Sequence, residues 1–564
     1  MKCIACGLEN PDGAKFCTYC GTAFPEIAPG MMRQQVETAS RQQMQEQVQL
    51  YAQQTSAAGR PAASVQRTVQ VRDGRGKYIV KRLIFFGIAV VIGILAAFLL
   101  QAGLPGGGTR RPFYDILRRL PQTLILTIVP LVIAFVIGML AGLAKSNGAR
   151  NAIRVIAAVL RALVPFAFGF VLMDLLAIKL GLLPLGGMMG GASLVLPLIA
   201  LTIPLIGFFM NAAVFNGHKK TFGGSVGAVA AWAADKMPAI VIVAAVVESL
   251  FSIPGLGNFT IQTIQAMQLG TTTVVLIIYV FIIYILRFLM DLIASAASGG
   301  DPSEQVFGGK ELRGRSGKGL LVFGMICAGI MVLLAIALPF LASRDPHYMD
   351  MNATFALPGE GGHLLGTDAM GRDLFAIVAF GLRNTMIMAF TNTIVACVLG
   401  TGFGVAAGFI RGAASEIFKG IRYVFGHCAP LGIILILLMS RSILPIFFIV
   451  GLFGWGGIAD RIDNGIKAKR ADPSHRTVFI LPALEQVAHT FISGLIWVSG
   501  ISVIGLVPVS PSFTTLGYAV ASGRNAVSVA SYAVLWPAGV LMILLFAFFL
   551  LHAGLCARER SITE

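Results

Sequence analysis

Long apolar stretches constrain this chain more than any other feature. Segments such as "LIFFGIAVVIGILAAFLL" (83–100) and "VLMILLFAFFLL" (540–551) contain no charged residue. Only 12% of the 564 residues are charged and 56% are hydrophobic, whereas about a quarter of a typical soluble domain is charged. Because roughly 20 apolar residues cross a bilayer as a helix, the composition predicts an all-α polytopic membrane protein.

The apolar stretches predict about twelve transmembrane helices. They lie at about 82–102, 123–145, 153–178, 193–214, 228–250 and 272–297, and then at about 319–342, 384–410, 418–440, 442–458, 478–506 and 530–553. Basic residues concentrate in the connections that share one side with the N-terminus, including 310–318 and 461–476. Since Lys and Arg mark cytoplasmic loops, we expect both termini in the cytoplasm of a prokaryotic cell, with the spans in its plasma (inner) membrane. Arg110, Arg111, Arg118 and Arg119 run against this orientation.

The net charge is +17, and we attribute this excess to the basic cytoplasmic loops. A nucleic-acid-binding surface is not expected, because no basic stripe is interleaved with aromatic residues. Membrane lipid is therefore the expected surrounding, and nucleic acid is not an expected partner.

The two halves of the apolar region are related to each other. "QTLILTIVPLVIAFVIGMLAGLA" (122–144) aligns with "NTMIMAFTNTIVACVLGTGFGVA" (384–406), and Thr123 falls on Thr385. Both copies contain G-x-x-x-G, at Gly138–Gly142 and Gly400–Gly404, a spacing that lets membrane helices approach closely. Six predicted spans separate the copies, so the sequence predicts two parallel six-helix repeats. The alternative is a chance similarity between two membrane helices.

These features divide the chain into six parts. We assign 1–24 to a cysteine-bearing domain, 25–80 to a polar, Gln-rich linker, 81–298 to the first membrane half, 299–318 to a basic cytoplasmic connector, 319–556 to the second membrane half and 557–564 to a C-terminal tail.

The N-terminal domain carries the strongest local motif. Cys3 and Cys6 form one C-x-x-C, and Cys17 and Cys20 form a second. Two such knuckles bring four thiolates into a tetrahedron that suits structural zinc. Two disulfides are the alternative, which a reducing cytoplasm disfavours. The segment resembles the short zinc-ribbon family, in which "FCTYCG" is a typical second knuckle.

A second short stretch, "HLLGTDAMGRDLF" (363–375), places Asp368, Arg372 and Asp373 between apolar runs. We interpret it as the start of a helix at the membrane surface, in which Thr367 or Asp368 caps the first turn and Asp368 pairs with Arg372. Direct contact with a substrate is the alternative. Catalysis is not expected, because no nucleophile and base accompany the carboxylates.

The same stretch resembles a known family. Gly366, Thr367, Asp368, Gly371, Arg372, Asp373, Gly381 and Arg383 match the G-T-D-x-x-G-R-D and G-x-R signature of peptide- and nickel-type ABC importer permeases. "RRLPQTLIL" (118–126) and "ESLFSIPGLGNF" (248–259) are similar to the partner permease of those systems. "GWGGIADRI" (454–462) and "PVSPSFTTLGYAVASGRN" (508–525) match later parts of the second permease, the one that carries the G-T-D-x-x-G-R-D signature. The resemblance covers about residues 82–556, as if two permeases were fused.

The resemblance implies the type I importer permease fold, alternating access, two separate ABC ATPase subunits and an extracytoplasmic substrate-binding protein. It implies no enzyme activity in this chain, because the ATPase subunits would hydrolyse ATP. It places an extracytoplasmic gate region at Asp368, Arg372, Asp373, Glu248, Pro254, Gly255, Leu256 and Gly257.

One feature of the family is missing. The E-A-A-x-x-x-G coupling motif does not occur before "KMPAI" (236–240) or "ILPAL" (480–484). In the absence of that motif, we expect the ATPase-coupling surface to include the polar residues Lys219, Lys220, Asp460, Arg461, Lys467 and Lys469. A secondary transporter without an ATPase, or a membrane scaffold without transport, are the alternative functions.

Overall fold

The computed structural model describes residues 6, 8–9, 16–23, 87 and 112–562, with gaps at 145, 188–189, 217–221, 267, 299–316, 411–445, 472–479 and 506–512. The chain divides into two compact units, 1–71 and 72–564. Several predicted segments lie outside the described residues. They are the linker, nearly all of the connector, the span at 418–440 and, apart from Gly87, the span at 82–102.

The second unit is built from helices. Those of the first half are α1 (Pro112–Gly142), α2 (Asn147–Ala162), α3 (Pro165–Leu172), α4 (Val195–Asn216), α5 (Phe222–Leu250), α6 (Leu256–Gln265) and α7 (Leu269–Ser298). Those of the second half are α8 (Gly317–Leu341), α9 (Leu374–Phe409), α10 (Ile446–Gly454), α11 (Gly456–Ala471), α12 (Ile480–Val503), α13 (Leu516–Gly523) and α14 (Tyr532–Ile562). The predicted all-α class is confirmed.

Eight of the described helices are long and apolar enough to cross a membrane, or up to nine if α2 and α3 form one bent span. The eight are α1, α4, α5, α7, α8, α9, α12 and α14, and each overlaps a predicted span. Another span was predicted at 442–458. In the described part of that segment, α10 occupies Ile446–Gly454 and α11 begins at Gly456. The total of twelve spans stays a prediction.

The two G-x-x-x-G motifs lie where helices approach closely. A Cβ atom added at Gly138 would lie 2.5 Å from the Phe209 Cβ of α4, and one at Gly400 would lie 2.7 Å from the Ile458 Cβ of α11. Since real Cβ atoms essentially never come within such distances, only glycine allows these contacts. The motif therefore does the same work in both halves.

A second pair of contacts repeats between the halves. The Thr123 hydroxyl on α1 accepts a hydrogen bond of 2.8 Å from the Leu256 amide, the first residue of α6. The Thr385 hydroxyl on α9 accepts one of 3.0 Å from the Leu516 amide, the first residue of α13. Each threonine satisfies an amide that a helix start leaves without an intrahelical partner. The aligned threonines thus hold a short helix in place in each half.

The largest apolar cluster contains residues of both halves. Phe166, Phe170 and Leu250 of the first half share it with Leu495 and Leu544 of the second. All five are at most 4% exposed. Because burial of apolar area stabilises a contact in proportion to that area, the halves form one packed body in the described part of the chain.

Candidate functional site

The zinc-ribbon segment brings its described cysteines together. The Sγ atoms of Cys6 and Cys17 lie 3.5 Å apart, and those of Cys6, Cys17 and Cys20 all lie within 4.8 Å of one another. Zinc–sulfur bonds of about 2.3 Å in a tetrahedron separate the sulfurs by about 3.8 Å. The three thiols are free of disulfides, and Cys3 lies outside the described residues. The donor set fits one zinc ion.

The second knuckle is shaped by its backbone. The Cys17 amide donates to the Thr22 carbonyl at 2.8 Å, and Gly21 has a φ of 72°, a conformation that favours glycine. Hydrogen bonding with Thr22 lowers the pKa of the Cys20 thiol. A lowered pKa favours the thiolate, which is the form that binds metal.

Residues 363–373, called here the 363–373 loop, form a compact turn before α9. The Asp368 carboxylate accepts hydrogen bonds from the backbone amides of Met370 and Arg372, each at 2.9 Å. It also accepts from the Arg372 Nε at 2.8 Å and Nη2 at 2.6 Å. The predicted Asp368–Arg372 pair is confirmed, although it closes a turn rather than one face of a helix.

The Arg372 guanidinium is held charged by this pairing. Burial acts to lower the pKa of Arg372, but the hydrogen bonds and negative charge of Asp368 outweigh that effect and raise it. Both side chains are buried, with at most 5% of each residue exposed. Both guanidinium nitrogens bind the Asp368 Oδ2, while Oδ1 accepts from the two backbone amides. Charge-assisted hydrogen bonds of this kind are strong, so the pair stabilises the loop and is not directed at solvent.

The helix cap differs from the prediction. Asp373, and neither Thr367 nor Asp368, caps α9, because its Oδ2 accepts from the Ala376 amide at 2.9 Å. Thr367 instead bonds Ala353 and Ala356. The prediction of the cap was wrong because the turn at Gly366 and Gly371, with φ of 83° and 70°, delays the helix to Leu374.

Asp373 continues into a chain of buried polar groups. Its Oδ1 lies 2.8 Å from the His363 Nδ1, and the His363 Nε2 lies 2.6 Å from the Arg344 Nη1. His363 is 2% exposed. Sequence reasoning missed this role, because Arg344, nineteen residues away in the chain, follows the end of α8 and carries no motif.

The other predicted gate segment is organised by Glu248. This residue is fully buried near the end of α5, and its Oε2 accepts from the Gly257 amide in the first turn of α6 at 2.6 Å. A carboxylate at the positive end of a helix is stabilised by the exposed amides. Ser252, in the turn between the two helices, has a φ of 52°, which is unusual for a residue other than glycine.

The two predicted gate segments are connected through α13 and the short turn after it. The Arg372 guanidinium lies 5.9 Å from the Tyr518 ring centroid of α13. Beyond the end of that helix, Arg524 donates to the Ser249 carbonyl and, at 2.9 Å, to the Ser252 hydroxyl of the first half. Burial lowers the pKa of Arg524. Arg524 and Tyr518 were not predicted as site residues, and no spacing in the sequence identifies them.

The candidate coupling surface is only partly described. Lys219, Lys220 and Lys469 lie outside the residues whose side chains are described. Asp460 and Arg461 belong to α11, and Arg461 pairs with Glu485 of α12 at 3.0 Å. Lys467 pairs with Asp463 within α11. A loop was predicted at 461–476. As far as Ala471 that prediction is wrong, because α11 continues through that residue.

Comparisons with known proteins found a zinc-ribbon domain at the N-terminus and similarity to transport permeases. A family model described as a zinc-ribbon domain matches residues 2–24. The chain is 25% identical over 257 residues to the oligopeptide transport system permease protein OppC of Haemophilus influenzae. This alignment covers 41% of this chain and 80% of that protein.

Two further relatives are also permeases. The chain is 23% identical over 236 residues to the dipeptide transport system permease protein DppC of Lactococcus lactis, covering 38% of this chain and 68% of that protein. It is 32% identical over 105 residues to the probable D,D-dipeptide transport system permease protein DdpC of Escherichia coli, covering 19% of this chain and 35% of that protein. With the apolar helices, these relatives indicate a multi-pass membrane protein.

Proposed function

Since this chain is homologous to peptide ABC transporter permeases and carries an N-terminal zinc ribbon, we propose that it forms both membrane halves of a peptide-type importer. The observation that carries the proposal is one of length. A relative that is aligned over 80% of itself occupies only 41% of this chain. The Thr123–Leu256 contact of one half recurs as Thr385–Leu516 in the other, as in two related permease halves.

The proposed mechanism is alternating access. The two halves rock about a central pathway and expose a peptide-like solute to one side of the membrane and then to the other. The contacts of Arg524 with Ser249 and Ser252 support this proposal, because they join the halves through polar bonds that can exchange. The Asp368–Arg372 pair and the Glu248–Gly257 bond hold rigid units on either side of that contact, at the extracytoplasmic gate.

The proposed partners are two cytoplasmic ABC ATPases and an extracytoplasmic substrate-binding protein. Both termini lie in the cytoplasm, where the ribbon binds one structural zinc ion through Cys3, Cys6, Cys17 and Cys20. ATP is hydrolysed by the ATPase subunits and not by this chain. The surface that receives the ATPase is formed by Asp460, Arg461 and Lys467 together with Lys219, Lys220 and Lys469.

A specific observation favours a second function. The segments that precede "KMPAI" (236–240) and "ILPAL" (480–484) occupy the place of the family's coupling helices. Neither segment contains the Glu-Ala-Ala motif of the family. A transporter that works without an ATPase is therefore the alternative, with a scaffold that does not transport as a further one.

The test is reconstitution of the chain with its co-purifying subunits into proteoliposomes that contain ATP or a non-hydrolysable analogue. We expect uptake of labelled di- and oligopeptides that requires ATP and falls at least tenfold in Arg372→Ala. The matched control is Arg383→Ala, since Arg383 stacks on Phe380 of its own helix and leaves the 363–373 loop intact.

The outcomes separate the functions. Uptake that persists without ATP and without a bound ATPase supports the secondary transporter. A chain that transports no peptide under either condition, while remaining monodisperse, contradicts both transport functions.

A further inference from the structure

A cluster of three metal-ligating side chains lies between α12 and α14. Glu485 and His552 are buried, and Cys556 is partly exposed. His552 and Cys556 are four residues apart on α14, so that both project from one face of that helix. Glu485 approaches the same point from α12. The three come from positions that no sequence motif connects.

The distances among the three donors match those around a single ion. The Glu485 Oε1 lies 3.0 Å from the His552 Nε2 and 3.4 Å from the Cys556 Sγ, and the Sγ lies 3.7 Å from the Nε2. Bonds of about 2.0–2.3 Å in a tetrahedron separate neighbouring donors by about 3.3–3.8 Å. A small opening of the carboxylate–imidazole contact is enough to admit an ion.

Arg461 orients the carboxylate of this cluster. Its Nη2 lies 3.0 Å from the Glu485 Oε2, which leaves Oε1 facing the other two donors. Such an outer partner orients a ligating carboxylate. Since the positive charge of Arg461 offsets the charge of Glu485, the thiolate form of Cys556 supplies the negative charge that lowers the cost of a divalent ion in apolar surroundings.

We propose that Glu485, His552 and Cys556 bind one divalent transition-metal ion of the zinc, cobalt or nickel type. Mixed oxygen, nitrogen and sulfur donors select such ions, whereas magnesium and calcium require oxygen ligands. Three protein ligands leave a fourth position for water or another ligand. The His489 ring is a neighbour of the cluster, with its centroid 5.7 Å from that of His552.

The test is cobalt titration of the full-length chain in detergent, purified with a tag that contains no histidine. Changing Cys3, Cys6, Cys17 and Cys20 to serine removes the ribbon site. In this background we expect one equivalent of Co²⁺ to remain, with a thiolate-to-cobalt charge-transfer band. Cys556→Ser abolishes the band, and Glu485→Gln weakens binding at least tenfold. The matched control Cys327→Ser, which changes another partly buried cysteine of a membrane helix, leaves both unchanged.

Size-exclusion chromatography establishes that each variant is folded. If Cys556→Ser is not monodisperse, Glu485→Gln and His552→Gln decide the matter through the same titration. A monodisperse ribbon-free chain that binds no cobalt overturns the proposal, and so does a cobalt band that survives in Cys556→Ser. Elemental analysis of chain prepared with zinc or nickel then identifies which ion is held most tightly.

Discussion

The cap of α9 offers the most direct test of how the 363–373 loop is built. Asp373→Ala removes the bond to the Ala376 amide, a change that costs about 1 kcal/mol at a typical helix start. It also leaves the buried His363 Nδ1 without the carboxylate that lies 2.8 Å away, and an orphaned buried polar group costs about 1–3 kcal/mol. The sum predicts that local opening becomes easier by about 2–4 kcal/mol.

Hydrogen–deuterium exchange of peptides covering the first turns of α9 measures this quantity. Because about 1.4 kcal/mol corresponds to a factor of ten, exchange in Asp373→Ala should be between about 30-fold and about 700-fold faster. Asp373→Asn should recover only the capping contribution of about 1 kcal/mol, because the asparagine amide has a single acceptor oxygen and cannot also accept from His363. Asp345→Ala is the matched control, because that exposed carboxylate bonds only the nearby His347 amide and surface changes typically stay within about 0.5 kcal/mol.

Two results would refute the reasoning. One is equal exchange in Asp373→Ala and Asp345→Ala, which would mean that the His363–Asp373 contact does not hold the loop. The other is a larger effect at Ala376 from Thr367→Val than from Asp373→Ala, which would return the cap to the position expected from the sequence.

Three further predictions concern the rest of the chain. Thr123→Val and Thr385→Val should each lower stability by about 1–3 kcal/mol, because each leaves a helix-start amide unpaired, whereas the serine variants should be tolerated; thermal unfolding in detergent measures both. Gly400→Ala should lower the midpoint of the same transition, whereas Gly329→Ala, where an added Cβ meets nothing within 4 Å, should not. Purified chain should contain zinc at the ribbon, and Cys17→Ser should reduce the bound zinc by one equivalent, measured by elemental analysis.

The helical membrane architecture could be predicted from the sequence because the bilayer acts on each segment separately. A helix satisfies its own backbone hydrogen bonds, so a run of apolar residues is sufficient to identify it. The prediction that failed, a loop at 461–476, falls where this rule is weakest. There the polar residues of α11 pair within the bundle, as Arg461 does with Glu485, and the helix continues through a segment that looks like a loop.

The candidate site was predictable only in part. The C-x-x-C knuckles and the Asp368–Arg372 pair were identified because their members are close in sequence, where spacing decides geometry. The partners of Asp373 were not identified from the sequence. Of the partners of Glu248, only the glycine in the turn before α6 was among the predicted residues. Arg344, Tyr518 and Arg524 reach the site from other elements, and the direction of their side chains depends on how those elements pack.

The sequence by itself determined the class of protein, the ribbon cysteines and the two positions where glycine spacing allows helices to touch. These properties follow from composition and short-range spacing. Only the tertiary structure decided that Asp373 caps α9, that α13 and the turn after it connect the two halves, and that Glu485 meets His552 and Cys556. Each of these contacts joins residues whose separation in the chain says nothing about their distance in space, because packing between helices sets it.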